Sequence, residues 1–587
     1  MIFYTQRDIR NIIDRFSYLE TTSRSVACML AILGAMGSAA TEKNRHSSRH
    51  CKHIQLLYDP VQGTLLGAKA TAYLNEGQVL GCGKGGSSLK NDKIANYSPP
   101  YIFPLFLASL GTIKNFEEFK ISNSQKESYL TMAALVYSKD WDLLREFTYI
   151  RSTVIESGCV SDDTWHSLLK VIAACVHLQS VSIVGSESTI ISSATKPSIT
   201  NAENLLGLPS GSITSFLLKK KVESERPNSD GPTVDCKPQE SRALLDGFCS
   251  VIYSRCFNSL LSACSNGGSL GLDASAIPRV LHIIDSPGWE ALKADDGSIL
   301  TCNSLHQLLL HYLEESLHQN LYIKSVFVDE VNAFKAEGVD ISSELLYPIP
   351  NFVPWIEFFE NPVGGIFNLF EDCSLSTNKL DEKTFCDKIL TAHGGSRSGL
   401  PAMVAPALAS TSSLPPQSKQ PPASSKAGAK ATSFLVRHTF AQVVYDLDGF
   451  VQQNKTYAIL ANSNQVNSLL SACNIQIIAS APGSNPTQAI PVPPTPGPPP
   501  PTAPAPPPAP PPAPPGPAGS LKPSGSASLF GRGSAVKLDK SQQVAHLMMT
   551  KAKSSVSNLI QSLQQSVSFE NQFFCLSISP SPYLVGH

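Results

Sequence analysis

The sequence predicts an α/β protein in which many helices surround a sheet and long insertions interrupt the chain. Three observations predict this class. Residues 280–292 place an apolar strand before a turn that contains Asp285, Gly288 and Glu290. Amphipathic helical repeats lie on both sides of that strand. Residues 482–523 are dominated by proline, which excludes them from any core.

The turn that follows the apolar strand has the residue types of a phosphate sensor. A strand that ends in an acid can hold the shell of a metal ion, and glycine lets backbone N–H groups approach a phosphate. The second acid, Glu290, can pair with a facing loop. An ordinary exit from a strand into a turn has the same pattern, so its meaning depends on the rest of the chain.

Length and composition exclude several classes of protein. A chain of 587 residues is larger than one hydrophobic core, so we expect several subdomains. The net charge of -1 gives no basic field, and we predict no nucleic-acid partner. The 14 cysteines form no CxxC pair, which indicates reduced thiols in the cytoplasm. The N-terminal residues 1–15 resemble neither a signal nor a transit peptide, and we expect no membrane span.

The first half of the chain alternates helical and strand patterns around a polar loop at residues 43–52. Apolar spacing predicts a helix over 9–19, a helix or strand over 26–33, and a hairpin from the segments 54–58 and 67–79. The pattern is helical over 101–178, clearest from Trp165 to Leu178, irregular over 182–200, and helical again over 244–261.

The second half begins with a long amphipathic helix that Asn303 or Ser304 would cap and that runs toward Phe327. Further on, we predict a helix-turn-helix over 354–390, a flexible insertion over 396–430, a strand over 434–445, a helix over 556–567 and a buried strand over 573–579. The proline-rich segment is either a spacer or a polyproline II ligand for SH3, WW or profilin-like proteins.

Taken in order, these segments resemble a myosin motor head. The loop Asn44-Arg-His-Ser-Ser-Arg49, followed by Lys52, resembles the family's switch I, and Asp285-Ser-Pro-Gly-Trp-Glu290 resembles switch II. The helix over 303–327 is similar to the relay helix. Residues 360–372 are similar to a helix of the actin-binding helix-loop-helix, and 434–455 to the segment that follows it. The switch II wording and the helix over 244–253 are most similar to class-eighteen myosins, which are associated with weak or absent ATPase activity and with structural roles on actin.

The resemblance implies a P-loop NTPase-like fold with a central mixed sheet, and it implies ATP and Mg²⁺ as ligands. It gives catalytic roles to Ser47, Ser48, Arg49 and Glu290, with Arg49 and Glu290 paired across the site. Asn44, Asp285 and Gly288 would contact nucleotide, and Ser48 and Asp285 would hold Mg²⁺, Asp285 in its outer shell. Actin filaments are the implied partner, through Leu375, Lys379, Leu380, Lys537 and Lys540. The implied location is the cytoplasm, on the cytoskeleton, in a myosin complex.

The sequence also departs from the family pattern. No Gly-x-x-x-x-Gly-Lys-[Ser/Thr] P-loop occurs where it would precede the first helix, and the glycine-rich stretch 81–87 has the wrong spacing and position. His46 and His50 replace a switch I asparagine and an aromatic residue. The chain stops where the family continues into its converter and lever arm, so we expect either a fragment or a head reduced to a binding module.

The implied organisation assigns 1–345 to the nucleotide site and upper head, with switch I at 43–52, switch II at 285–290 and the relay helix at 303–327. The remaining units are the actin-binding helix-loop-helix at 346–395, an insertion at 396–431, a lower-head segment at 432–480, a loop 2-like insertion at 481–540 and a terminal helix and strand at 541–587. The predicted function is an ATP-dependent actin motor with impaired activity. The alternatives are a nucleotide-independent actin tether or scaffold and, less favoured, a GTPase-like switch protein.

Overall fold

The computed structural model describes the chain in segments. They are residues 21–39, 47–74, 99–136, 142–186, 188–221, 233–266, 279–287, 301–303, 305–339, 351–375, 382–394, 404–406, 432–438, 442–447, 450, 454, 464–479 and 548–566. The predicted helix at 9–19, the insertions at 396–430 and 482–523, the strand at 573–579 and the glycine-rich stretch 81–87 lie wholly or almost wholly outside these residues.

The first half of the described chain is mainly helical and contains one long hairpin. Helix α1 (Thr21–Gly37) leads into the short pair β1 (Ser38–Ala39) and β2 (Ser47–Ser48), and then into strands β3 (Cys51–Tyr58) and β4 (Leu65–Tyr73). The following elements are α2 (Ile102–Ala108), α3 (Asn123–Val136), α4 (Leu143–Glu156), α5 (Asp162–Gln179), β5 (Ile183–Val184), β6 (Ile190–Ile191), α6 (Lys196–Leu206), α7 (Ser212–Leu218), β7 (Lys219–Lys221), β8 (Thr233–Asp235) and α8 (Pro238–Asn266).

The second half begins with the strand that delivers Asp285. Its elements are β9 (Arg279–Asp285), β10 (Thr301–Asn303), α9 (Leu305–Leu317), a π-helix (His318–Val328), α10 (Asp329–Ala336), α11 (Val353–Glu360), α12 (Ile366–Leu375), α13 (Glu382–His393), β11 (Val404–Pro406), β12 (Ser433–Arg437), β13 (Gln442–Asp446), α14 (Asn464–Ser471), α15 (Gln476–Ala479) and α16 (Met548–Ser566). None of the helices in the described part of the chain is long and apolar enough to cross a membrane.

Two larger sheets are formed by the described strands. One is antiparallel and three-stranded, in the order β4-β3-β9, and the other is four-stranded in the order β10-β13-β12-β11. In the second sheet β10 runs parallel to β13 while β12 is antiparallel to it, so the pairing is mixed. The single central mixed sheet implied by the resemblance stays a prediction.

The three-stranded sheet lies between two hydrophobic cores. Successive residues of a strand face opposite sides, and Ile283 and Ile284 accordingly pack against different cores. The first core joins α1–α8 with α14 and α15, and the second joins α9, α11–α13, β11–β13 and α16. One sheet therefore separates α1–α8, α14 and α15 on one side from the helices of the second core on the other.

The structure alters one predicted boundary and one prediction of burial. Helix α6 begins at Lys196, inside the stretch 182–200 that was predicted to be irregular, because Pro197 at its first turn supplies a preformed helical φ angle. The apolar run 280–284 is not wholly buried. Val280 and Leu281 are 39% and 48% exposed, since β9 is an edge strand among the strands that the structure describes.

A core substitution tests the second cluster. Phe359 is fully buried, and its ring lies 5.0 Å from that of Tyr312 and 5.7 Å from that of Phe367. We expect Phe359→Ala to lower the free energy of unfolding by about 3–5 kcal/mol, because it removes these contacts and leaves a cavity. Urea denaturation measures this change. Val363→Ala, at a side chain that is 85% exposed, is the matched control and should change stability by less than about 0.5 kcal/mol. Equal midpoints for the two variants would contradict the assignment of Phe359 to the core.

Candidate functional site

The predicted switch I and switch II segments are described over residues 47–52 and 285–287, and these parts meet at the ends of paired strands. In the register of β3 with β9, Lys52 stands opposite Asp285. This pairing, rather than any ligand, sets the distance between the two segments. Because a shift by one residue would move every side chain to the other face, the register also fixes which groups meet.

Lys52 joins the two segments through its ammonium group. Its Nζ donates to Ser48 Oγ at 2.7 Å and to Asp285 Oδ2 at 2.7 Å. The side chains of Lys52 and Asp285 are 11% and 20% exposed, so water screens the ion pair only in part. We call this arrangement the lysine bridge. It links the hydroxyl and the carboxylate for which the resemblance implies roles at Mg²⁺.

The oxygen donors of Ser48 and Asp285 suit Mg²⁺ in chemistry. In this arrangement, however, each accepts a hydrogen bond from an ammonium, and a second cation at the same oxygens would be repelled. The described residues also contain no cluster of three or more His, Cys, Asp or Glu side chains that could hold a metal ion. The residues as placed therefore do not fit Mg²⁺ while the lysine bridge is closed.

The backbone turn of switch I is held from the helical side. Arg49 N donates to Gly37 O at 2.9 Å, and His50 Nδ1 lies 3.0 Å from the same carbonyl oxygen. A Cβ on Gly37 would lie 2.0 Å from His50 Cε1, so only glycine fits beside this imidazole. Burial, followed by the charge of Lys52, lowers the pKa of His50 to about 3, which keeps the ring neutral.

Helix α8 supports the same turn. The Tyr253 hydroxyl donates to Met36 O at 2.6 Å, and the Phe257 ring meets the His50 ring edge-on with centroids 5.5 Å apart. The end of α1 and the start of the switch I strand are thus fixed against one helix.

Arg49 begins a buried chain of hydrogen bonds that runs along α9. It is 2% exposed, and its Nη2 donates to Gln307 Oε1 at 3.3 Å. The Gln307 amide donates to His311 Nε2 at 2.8 Å, which leaves His311 Nδ1 as the donor to the Tyr445 hydroxyl at 2.5 Å. The pKa of His311 is well below its usual value, first because of burial, so the ring is neutral as this tautomer requires.

The chain continues toward the predicted actin-binding helices. The Tyr445 hydroxyl donates to His438 Nε2 at 2.8 Å, and His438 Nδ1 lies 3.4 Å from Glu315 Oε1. The Trp355 ring of α11 stacks on His438 with centroids 5.4 Å apart. Because each donor along the chain points the same way, the groups from Arg49 to Glu315 form one directional network, which we call the buried polar chain.

Glu314 is a buried acid beside switch II. It is 3% exposed, and its Oε1 has no hydrogen-bond partner among the described residues. Burial raises the pKa of Glu314 to about 8, assisted by the negative charges of Asp285 and Glu315. At neutral pH its carboxyl group is therefore mostly protonated.

The structure describes only part of the predicted residue set. It brings Ser47, Ser48, Arg49 and Asp285 into one region. Asn44, Gly288, Glu290, Lys379, Leu380, Lys537 and Lys540, together with the side chain of Leu375, lie outside the described residues, so the Arg49–Glu290 pair stays a prediction.

Sequence reasoning missed the lysine bridge and the buried polar chain. The sequence does contain one indication of the buried polar chain. Gln307, His311 and Glu315 recur every four residues within the leucine-rich helix α9, so they share one face and can contact one another. The lysine bridge joins residues 233 positions apart in the chain, and no local pattern marks it.

Glu314→Gln tests the protonation of this acid. A folded-state pKa near 8, above the ordinary 4.5, means that folding favours the protonated acid, and stability falls as pH rises from about 4.5 to 8. The neutral amide removes this loss. We expect Glu314→Gln to raise the free energy of unfolding by up to about 4 kcal/mol at pH 7.5 and to change it little at pH 4.5.

Denaturant titrations at the two pH values measure this difference. Glu337→Gln, at an exposed acid on the surface, is the control and should behave like the wild type at both. A gain in stability that is the same at both pH values would contradict the raised pKa.

Comparison with known proteins gives these segments a family. The myosin head (motor domain) family matches residues 18–487. Among similar proteins, Myosin-52 of Schizosaccharomyces pombe is 24% identical over 72% of this chain and 25% of its own length. Myosin-14 of Arabidopsis thaliana is 22% identical over 78% of this chain and 26% of its own, and Myosin-2 of Saccharomyces cerevisiae is 22% identical over 74% and 25%.

The chain therefore spans about a quarter of the length of the relatives it matches. Their names carry no class-eighteen designation, and that likeness stays a prediction. The family match covers most of the chain, including the lysine bridge and the whole buried polar chain. This chain belongs to the myosin head (motor domain) family.

Proposed function

We propose that this chain binds actin filaments as part of a cytoskeletal myosin head, and that its response to ATP is weakened by the lysine bridge. The observation that carries the second part is the position of Lys52 Nζ, 2.7 Å from both Ser48 Oγ and Asp285 Oδ2. The family supplies the general expectation of nucleotide, Mg²⁺ and actin. The internal ammonium holds the two oxygens that a hydrated metal ion would need.

Within this proposal the predicted residues keep separate roles. Ser47 offers its hydroxyl to the attacking water, Asn44 contacts phosphate, Gly288 offers its backbone N–H, and Arg49 pairs with Glu290 to close the site. Opening the lysine bridge precedes tight nucleotide binding, because the carboxylate of Asp285 must be released first. The ion pair is partly buried, so breaking it costs free energy. A cost of about 1.4 kcal/mol would lower the affinity for nucleotide about tenfold.

A nucleotide-independent actin tether is the second candidate. The ion pair of Lys52 with Asp285 favours this candidate if the lysine bridge never opens. The two switch segments then stay joined whether or not nucleotide is present. The two candidates share the actin surface and differ only in whether MgATP changes actin affinity. Both place the protein on the cytoskeleton.

The actin surface in this proposal comprises α11–α13 and the basic flank of the proline-rich insertion. Helices α12 and α13 pack through Phe370 and Phe385, whose rings lie 4.4 Å apart, so the tip that they carry is held on a buried base. The tip residues Leu375, Lys379 and Leu380 would contact filaments there. The SH3, WW or profilin-like partners of the proline-rich segment stay a prediction.

Substitution of Lys52 separates the two candidates. We expect wild-type protein to co-sediment with actin filaments and to lose less than about half of its binding in MgATP. Lys52→Met frees Asp285, and binding of a fluorescent ATP analogue should tighten about tenfold, with a matching gain in release from actin. The control is Lys69→Gln, on the neighbouring strand β4 of the same sheet.

The outcomes of this experiment are distinct. Failure of the wild type to sediment with actin at low salt would overturn the actin proposal. Full release of the wild type by MgATP would overturn the weakening by Lys52. If neither the wild type nor Lys52→Met binds nucleotide while both sediment with actin, the tether is supported.

The basic flank is tested separately. Neutralising Lys537 and Lys540 to Gln should weaken actin co-sedimentation about threefold to tenfold at low salt and reduce its salt dependence, because two charges facing an acidic filament are removed. Lys114 and Lys120, both exposed on a different segment, provide the matched double-Gln control. Unchanged binding in the Lys537 and Lys540 variant would exclude this flank from the interface.

A further inference from the structure

Three cysteines that are far apart in sequence meet in the first core, away from the lysine bridge. Cys28 lies on α1, Cys159 follows α4, and Cys264 lies near the end of α8. The sulfur atoms of Cys28 and Cys264 are 3.2 Å apart. We call these residues the thiol cluster. All three are free cysteines.

The three thiols differ in their access to solvent. Cys28 and Cys264 are fully buried, whereas Cys159 is partly exposed at the turn after α4. The Cys159 sulfur lies 3.2 Å from Ser25 Oγ, and Cys159 N donates to Ser157 Oγ at 3.0 Å. A small polar oxidant can therefore reach Cys159 first, and the two buried thiols lie behind it.

The surroundings of the three thiols also shift their pKa values in different directions. Hydrogen bonds from the S–H group of Cys264, then from that of Cys28, and from the hydroxyl of Ser25 lower the pKa of Cys159. The pKa values of Cys28 and Cys264 are raised, in each case first by Cys159. The most accessible thiol is thus the one that most readily forms a thiolate, which is the reactive species.

We propose that the thiol cluster is a peroxide-sensitive modification site in which Cys159 is oxidised first and a Cys28–Cys264 disulfide is the product. The site is independent of actin or nucleotide binding. Its substrate is a small hydroperoxide such as hydrogen peroxide.

The steps balance. The Cys159 thiolate attacks one peroxide oxygen, the O–O bond breaks, and the departing hydroxide takes a proton to form water, leaving a sulfenic acid. The Cys264 thiol attacks this sulfur, an S–S bond forms, and a second water leaves. Cys28 then attacks the Cys264 sulfur and releases Cys159 as a thiol. In total two thiols are oxidised and one peroxide is reduced to two waters.

The product links two helices. Cys28 and Cys264 belong to α1 and α8, which also hold the switch I turn through Gly37, Tyr253 and Phe257. A bonded S–S distance is about 2.05 Å, so the two sulfurs must approach by only about 1.2 Å. Such a small approach is within ordinary side-chain adjustment.

Peptide mapping of the full chain tests the proposal. The protein is treated with a small excess of hydrogen peroxide, quenched, alkylated in denaturant and digested with trypsin. Cys28 falls in the peptide 25–43, Cys159 in 152–170, and Cys264 in 256–279. We expect a dithiothreitol-sensitive link between 25–43 and 256–279, which fragmentation assigns to Cys264 and not Cys256.

Variants give the order of events. Cys159→Ser should slow formation of that link at least about tenfold, because the accessible thiolate is lost. Cys386→Ser, at a buried thiol in the second core, is the control and should leave the rate unchanged. A link that forms as fast in Cys159→Ser as in the wild type would overturn the role of Cys159. If wild-type peptides show only sulfinic or sulfonic acid at Cys159, with Cys28 and Cys264 fully alkylated, the disulfide is excluded.

Discussion

The ammonium group of Lys52 is the constraint on which the two switch segments depend. It donates to the hydroxyl of Ser48 in β2 and to the carboxylate of Asp285 at the end of β9 at the same time. The start of β3 and the end of β9 lie side by side because the antiparallel register of the two strands puts Lys52 opposite Asp285. The proximity of the two segments is therefore a property of the sheet. Any ligand that takes up these oxygens must first displace a cation that the backbone holds in place, which gives the site a resting state with its charges already paired.

The buried polar chain extends that constraint into the second core. Every residue of α9 is buried, so its polar side chains must find partners inside the protein. Gln307 and His311 do so by passing hydrogen bonds from Arg49 to Tyr445. A directional chain of this kind has one favoured set of tautomers, and reversing one donor disturbs its neighbours. Glu314 lies one residue from the chain, and the structure leaves one of its oxygens unpaired among the described residues. Its raised pKa follows from that position.

Much of the fold could be predicted because its helices are long and periodic. The apolar repeat from Trp165 to Leu178 lies within α5, and the repeat over 244–261 lies within α8. The hairpin β3–β4 and the acid at the end of β9 were also predicted correctly. The exposure of Val280 could not be predicted, because an apolar run of residues does not distinguish an edge strand from a central strand.

The roles of the site residues stay predictions, and the sequence could not indicate contacts that are made only through the fold. The resemblance implies that Ser48 and Asp285 act at the same Mg²⁺ ion. In the structure both side chains accept a hydrogen bond from the ammonium group of Lys52. The resemblance gave no role to Lys52, whose contact with Asp285 depends on strand register.

The thiol cluster and the switch I turn are built on the same two helices, and this limits how they can move. Gly37 at the end of α1 receives the Arg49 N–H, while Tyr253 of α8 donates to the carbonyl just before it. Cys28 and Cys264 lie farther along the same helices, in contact with each other. Two contacts at separate points prevent one helix from pivoting about the other, whereas a single contact would act as a hinge. Since core packing is close and resists continuous deformation, α1 and α8 should shift together or not at all. Movement at the switch I turn must then come from the β3 side. There the hydrogen bonds of Lys52 to Ser48 and Asp285 have to break first.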